Sequence, residues 1–282
     1  MKKILTAVIC AAALILTGCG GDSDSNNDTN TGKATIGVIA HLNVSETEYN
    51  ELMKKLEKSY RPSKANLSAD YKFFDKMNDM QMALEAGQID MLSTYQNVAN
   101  YMLQRNSDKE ILPSEKNLSD SFCFAMREGD KMLQRDLNKA INEMSTDGTL
   151  SKLTREYIID LKHGAEPPAV PITHIGGADT IKVAVTGDLP PFDMILADGT
   201  PAGFSTAVLA EVSRRINKNI ELVSVDSAAR ASILSSKGAD VVFWVAIPKE
   251  STLIPANIDQ PAGIIISEPY YHDNIAHIGL KK

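Results

Sequence analysis

Ile181-Lys-Val-Ala-Val-Thr-Gly-Asp-Leu-Pro-Pro-Phe192 is the stretch on which the fold of this chain turns. Ile181 to Val185 is a short apolar run of strand length, and Pro190-Pro191-Phe192 follows it closely. Beyond it the pattern alternates. A helix is expected over Thr206 to Ile216, a strand over Ile220 to Val225, a helix over Ala228 to Ser236 and a strand over Val241 to Val245. Strands alternating with helices give a parallel sheet with helices packed on its faces, an α/β fold.

The same order occurs earlier in the chain. A strand is expected over Thr35 to Ala40, then a helix opened by Ser45-Glu-Thr-Glu48, a capping box in which each end satisfies an orphan amide of the other. Tyr49, Leu52, Met53 and Leu56 give that helix one buried face. A strand over Tyr71 to Phe74, a helix over about Asp79 to Ala86 and a strand over Ile89 to Ser93 complete the unit. Two βαβαβ units imply two lobes. Between them lie a helix over Asp130 to Met144, a stop at Thr146-Asp-Gly-Thr149 and a short helix to Ile158. Asp160 to Thr180, with Pro167, Pro168, Pro171, Gly176 and Gly177, reads as a linker.

Four motifs carry a resemblance. Ile181 to Phe192, Asp198-Gly-Thr-Pro-Ala-Gly-Phe204, Ser236-Lys-Gly-Ala-Asp240 and Ser267-Glu-Pro-Tyr-Tyr271 resemble, in order and spacing, the opening lobe of the bacterial extracellular solute-binding proteins of the polar-amino-acid family, family 3. Ala83-Leu-Glu-Ala-Gly-Gln-Ile-Asp90 is similar to that family's second lobe. Phe124-Ala-Met-Arg-Glu-Gly-Asp130 and Asn138 to Leu150 are similar to its closing strand and helices. The resemblance implies a two-lobed periplasmic-binding-protein-like fold (type II), two doubly wound βαβ lobes around a cleft. Here the family's order is inverted, which implies a circular permutation. The expected organisation is then a signal peptide over 1–19, a tether over 20–33, lobe 2 over 34–118, a segment returning to lobe 1 over 119–159, the linker over 160–180 and lobe 1 over 181–282. The competing expectation is a fragment of a tandem array, in which Phe122 to Arg127 packs only on residues 34–118. The permuted reading instead sends Phe122 to Arg127 into the sheet of Ile181 to Val185 and Val241 to Val245, and leaves Asn274 to Lys282 at the hinge.

The start of the chain is read from its chemistry. Met1-Lys2-Lys3, an apolar core from Ile4 to Leu16 and Leu16-Thr-Gly-Cys19 form a basic head, a short apolar core and a small-residue cleavage site. The core is too short to span a bilayer with ease, since a spanning helix needs roughly 20 apolar residues. Resemblance to the lipoprotein signal implies that Cys19 is the lipidated first residue of the mature protein, anchored on the outer side of the bacterial membrane. Gly20 to Gly32 is almost wholly small and polar and reads as a flexible tether. Of the three cysteines, Cys123 alone remains, inside an apolar strand where a core thiol is expected. The net charge of -7 argues against a nucleic-acid partner.

Ligands of doubly wound sheets lie outside the carboxyl ends of the strands. The candidate contacts are Thr186, Asp188, Phe192, Trp244, Val245 and Lys249 on one lobe. On the other they are His41, Asn43 and Ser45, at a helix N-terminus suited to an anion, with Thr94 and Tyr95. Arg230 reads as a solvated helix position. Ala246 to Thr252 holds no arginine where the family implies its carboxylate clamp, Tyr95 stands near the place of the implied amine-holding acid, and Leu42 near that of the anion-loop hydroxyl. These departures weigh against an α-amino acid ligand.

The function expected is capture of a small solute for an ABC permease, with the lipid membrane as second partner. A solute sensor or presenting lipoprotein is the alternative. A dehydratase-like enzyme is the weaker one, because no Gly-x-Ser-x-Gly elbow and no phosphate-cradling loop occurs. His41, His163, His174, His272 and His277 lack the spacing of a metal site, so neither metal nor cofactor is expected.

Overall fold

The computed structural model describes residues 33–60, 69–113, 118–249 and 258–281. The signal peptide, Cys19 and the tether up to Gly32 lie outside the described residues. In chain order, the first half runs β1 (Thr35–Ile39), α1 (Glu46–Tyr60), β2 (Asp70–Phe74), α2 (Met77–Glu85), β3 (Met91–Tyr95), α3 (Gln96–Leu103) and β4 (Lys109–Leu112). Then come β5 (Ser119–Arg127), α4 (Lys131–Thr146), α5 (Thr149–Thr154) and a π turn (Arg155–Ile159). The second half holds β6 (Thr180–Val185), β7 (Asp188–Leu189), β8 (Asp193–Ile195), β9 (Pro201–Ala202), α6 (Phe204–Ile216) and β10 (Asn219–Ser224). It ends with α7 (Arg230–Ser235), β11 (Val241–Lys249), β12 (Ile264–Ile266) and β13 (Tyr271–Leu280).

Two lobes follow from the pairing. In one, β1 lies parallel between β2 and β3. In the other, β6 lies parallel between β10 and β11. Strand β13 joins them: Tyr271 to Asn274 pairs with β5, and Ile275 to Ile278 continues antiparallel to β3. Its tail also takes β4 on its other edge, from His277 to Leu280. The sequence places this tail at the hinge, and the structure goes further by making it an inner strand of the first lobe. The reason is that its alternating buried residues, Ala276 and Ile278, need a sheet to satisfy their backbone groups.

Strand β5 precedes β6 by more than fifty residues, yet it pairs antiparallel with β11 along Ser119 to Met126. Its apolar run Phe122 to Met126 is wholly buried. A strand buried on both faces reads as a continuous apolar run, and β11 shows the same from Val241 to Ala246. Helix α4 covers this lobe through Leu137, Ala140, Ile141 and Met144, the i, i+3, i+4, i+7 stripe of an amphipathic helix, and packs on α6.

The recognised motifs have packing roles. Ser267 is locked to β5 by two bonds, its N–H to the Phe124 carbonyl and the Phe124 N–H to its Oγ. Tyr270 stacks on Phe124 at 4.8 Å between centroids, and Tyr271 meets Phe204 at 4.8 Å. Gly203 has φ +104°, and a Cβ there would lie 2.4 Å from the Phe192 carbonyl oxygen, so no other residue fits that approach. The linker is partly laid on the lobe, since Val170 is buried and its N–H donates to Pro201. Cys123 is a free, buried thiol whose pKa burial pushes up to about 12, which makes it unreactive.

Candidate functional site

The lobes meet over a cavity of about 100 Å3. One lobe lines it with Val38 to His41 at and beyond the end of β1, Tyr49 of α1 and Ser93 to Tyr95 of β3. The other contributes Leu189, Arg230, Trp244 and Ala246, while the crossing strands add Asp120 and Ile275. Asp259, which follows β11, closes the wall.

Four of the expected contacts are therefore brought together: His41, Thr94, Tyr95 and Trp244. The others are not among the lining residues. Phe192 is buried in the aromatic core against Phe122, at 5.0 Å. Val245 is fully buried with Cys123 and Ala184, and Lys249 is exposed at the end of β11. Thr186 is spent inside its own lobe, since its N–H and Oγ1–H both donate to Asp193 at 3.0 Å. Ser45 and Asn43 are exposed. Ser45 makes the capping box foreseen: its N–H donates to Glu48 at 2.8 Å and its Oγ accepts from the Glu48 N–H at 3.3 Å. These bonds hold the Glu48 carboxyl below its usual range.

Asp188 has a different role from the one expected. Its Oδ2 accepts the Met77 N–H at 2.8 Å, so it caps α2 of the opposite lobe, whose own N-cap Lys76 makes no side-chain cap. Burial raises the Asp188 pKa, while the bond from Met77 lowers it. Beside it, Lys76 pairs with Asp226 at 3.3 Å and the Ala228 N–H donates to Asp75 at 3.2 Å. Replacing Asp188 by alanine is expected to lower stability by about 1 kcal/mol, the usual loss of a cap, and to open the lobes. A rise in the radius of gyration of the variant by X-ray scattering tests this, and an unchanged radius contradicts it.

Trp244 owes its position to an irregularity. The register of β11 on β5 shifts between Val242 and Val245, so Phe243 and Trp244 together oppose Phe124. Such a bulge re-aims side chains next to sites. Trp244 thus belongs to the core and lines the cavity as well. Its ring meets Tyr95 edge-on at 6.4 Å.

Arg230 is the main correction to the sequence reading, for it is 3% exposed rather than solvated. Its Nε–H donates to Ser227, Nη1–H to Trp244 and Nη2–H to Ala40, all backbone carbonyls, at 3.1, 3.1 and 2.9 Å. The Ala40 bond crosses to the other lobe. Its guanidinium lies 4.3 Å over the Trp244 ring. A signal for this was present: Arg230 is the sole charged residue from Ser227 to Ser236. Such a stretch is a poor solvated face.

Asp259 and Asp120 carried no sequence signal. Asp259 is 4% exposed; its Oδ1 accepts the Leu42 N–H at 2.9 Å and its Oδ2 lies 2.9 Å from His41 Nδ1. Burial pushes its pKa up, but His41, Arg230 and the Leu42 amide outweigh that and hold the carboxyl below its usual range. Among the described residues, the Asp120 carboxyl has one side-chain bond, a long one from the Tyr95 hydroxyl at 3.4 Å. Burial first, and then the charge of Asp259, push its pKa up to about 6.

Two buried polar atoms of the cavity lining, Trp244 Nε1 and Thr94 Oγ1, have no hydrogen-bond partner among the described residues. Buried polar groups nearly always have one, so these atoms await a partner. Among the described residues no group of three or more His, Cys, Asp or Glu is arranged to hold a metal ion.

A two-lobed α/β body with a small cavity between its lobes is the periplasmic-binding-protein-like class of fold. Within it, residues 181–250 match the family model of the bacterial extracellular solute-binding proteins, family 3, so the resemblance holds for the three motifs inside that segment, Ile181 to Phe192, Asp198 to Phe204 and Ser236 to Asp240. That family is one of binding proteins. A comparison with curated protein sequences finds no match. Among solved structures, the GluR0 ligand-binding core in complex with L-glutamate is similar at 11% identity and a TM-score of 0.39, over 89% of this chain and 85% of that one. The methionine-binding protein MetQ is similar at 11% identity and a TM-score of 0.43, over 89% and 84%. The regulatory domain of OxyR2 from Vibrio vulnificus is similar at 12% identity and a TM-score of 0.43, over 92% of each.

Proposed function

We infer that this protein is a lipid-anchored, extracytoplasmic receptor that captures a small solute between its lobes and delivers it to an ABC-type permease. The observation that carries the reading is the pair of unpartnered buried atoms, Trp244 Nε1 and Thr94 Oγ1, one from each lobe, on a cavity that both lobes build. A ligand that bonds to both stabilises the closed arrangement, which is the population shift expected of this architecture. The match of residues 181–250 to the family of extracellular solute-binding proteins supports the class of activity. The export signal ending at Cys19 supports the anchor, since acyl chains contribute about 0.8 kcal/mol per buried methylene.

The inverted order of lobes fits a circular permutation, with residues 160–180 joining the old end to the old beginning. The pairing of β5 with β11 and the passage of β13 between the sheets support it.

Native mass spectrometry of the full chain, extracted from membranes of cells that make it, tests the reading in one experiment. The expected spectrum shows a mature chain starting at a diacylated Cys19 with a small organic molecule bound. A chain that keeps Met1 to Gly18 contradicts the anchor, and an empty chain that also shows no change in Trp244 emission with any tested solute contradicts the receptor.

A further inference from the structure

The charges in the cavity wall are not balanced. Arg230, its main cation, donates to three backbone carbonyls and interacts most strongly, among the acids around it, with Asp259. Asp259 also occupies the Leu42 amide and His41 Nδ1, at the head of α1, where an anionic group of a ligand would dock. The chain thus supplies its own carboxylate to that place. Of the two lining carboxylates, Asp120 is the one with fewer bonds among the described residues, and it faces Tyr95, His41, Asp259 and Asp273 as its polar and charged neighbours. Nearby, Trp244 Nε1 can only donate, so whatever meets it must be an acceptor, and Thr94 Oγ1 can do either. Tyr49 and Tyr95 supply aromatic walls of the kind that attract cations.

On the reading of this cavity as a ligand site, we propose that its solute is a small organic cation, a short primary amine bearing an uncharged oxygen, held by Asp120 through its ammonium group and by Trp244 Nε1–H through its oxygen, and not a carboxylate or zwitterion. The ammonium group forms a charge-assisted bond with Asp120 and offsets the negative charge that Asp259 and Asp273 add there. A carboxylate would face Asp120 and Asp259 together and would find the Leu42 amide already taken. The cavity of about 100 Å3 limits the solute to a few heavy atoms.

The test is titration calorimetry of the full chain in detergent, freed of bound solute by refolding, against matched probes. Ethanolamine and 3-amino-1-propanol are the cations, glycine and β-alanine the zwitterions, and glycolate the anion. The expected result is binding of an amino alcohol at least tenfold tighter than its matched zwitterion and no heat with glycolate. Asp120→Asn is expected to weaken that binding at least a hundredfold, and Trp244→Phe tenfold, with thermal unfolding confirming that each variant folds. If Asp120→Asn does not fold, Trp244→Phe and Thr94→Val carry the test in its place. Tighter binding of glycine, β-alanine or glycolate overturns the inference and leaves the receptor reading standing. Silence of all five probes also overturns it, and an identified co-purified solute of other chemistry then keeps the receptor reading alive.

Discussion

Arg230→Met is expected to cost about 3–5 kcal/mol of stability, the size of loss typical when one charge is removed from a buried, hydrogen-bonded network. The carbonyls of Ser227, Trp244 and Ala40 each lose a donor at once, and Asp259 stays buried with His41 beside it but without the Arg230 charge. Methionine fills a similar volume, so a cavity adds little to the loss. Lysine is not expected to rescue the position, because one ammonium group cannot reproduce a planar fork that reaches three carbonyls in two lobes and stacks on Trp244. Urea unfolding of the parent and the two variants measures this directly. The double variant Arg230→Met, Asp259→Asn should lose less than the sum of its parts, since the second change removes the stranded charge. A loss below about 1 kcal/mol for Arg230→Met contradicts the account, because it would fall in the range of an exposed ion pair.

The ligand-free protein should lose stability as pH rises from about 4 to 7, through the ionisation of Asp120 and Asp193. Burial pushes both pKa values up to about 6, in Asp193 against the opposing bonds from Gly187 and Thr186. Both lie above the unfolded value of about 3.9. A carboxyl whose folded pKa is raised binds its proton more tightly when folded, so its contribution is full below the unfolded pKa. It is lost as pH rises through the folded pKa. With about 1.4 kcal/mol per unit, each group contributes on the order of 2–3 kcal/mol to this loss. Asp120→Asn and Asp193→Asn, which cannot ionise, should therefore gain stability relative to the parent by about that amount between pH 4.5 and pH 7.5. Equal differences at the two pH values contradict the assignment. For Asp120 the ionised form is what the proposed cation requires, so the cost in the empty protein is recovered on binding. Stability given up at a site in exchange for function is a common trade.

Much of the fold was legible in the sequence. The alternation of apolar runs and amphipathic helices marked both βαβαβ units, because a strand or helix must show its buried face in its own spacing. Ser45 and Glu48 announced the start of α1, since a capping box is a contact between residues three apart. The motifs from Ile181 to Phe204 and from Ser267 to Tyr271 carried the resemblance to family 3, and in the structure they build the aromatic core and the hinge. Helix α3 escaped notice: it follows β3 without a break, its N-cap Tyr95 makes no side-chain cap, and its eight residues carry a short signal.

The site was legible only in part, and the division has a physical cause. His41, Thr94 and Tyr95 sit at strand ends, a place that topology alone assigns to ligands, and Trp244 sits at the bulge inside β11. Asp120, Arg230 and Asp259 are made into a site by contacts across the cleft, among them Arg230 with Ala40 and Asp259 with Leu42, about two hundred residues apart in sequence. No local pattern encodes such a pairing. The sequence by itself therefore determined the class of fold and the strands that line the cavity, because those depend on periodicity and local caps. Which charges are spent on the protein itself and which remain for a solute was decided by the tertiary structure alone, because a charge is neutralised by its neighbours in space.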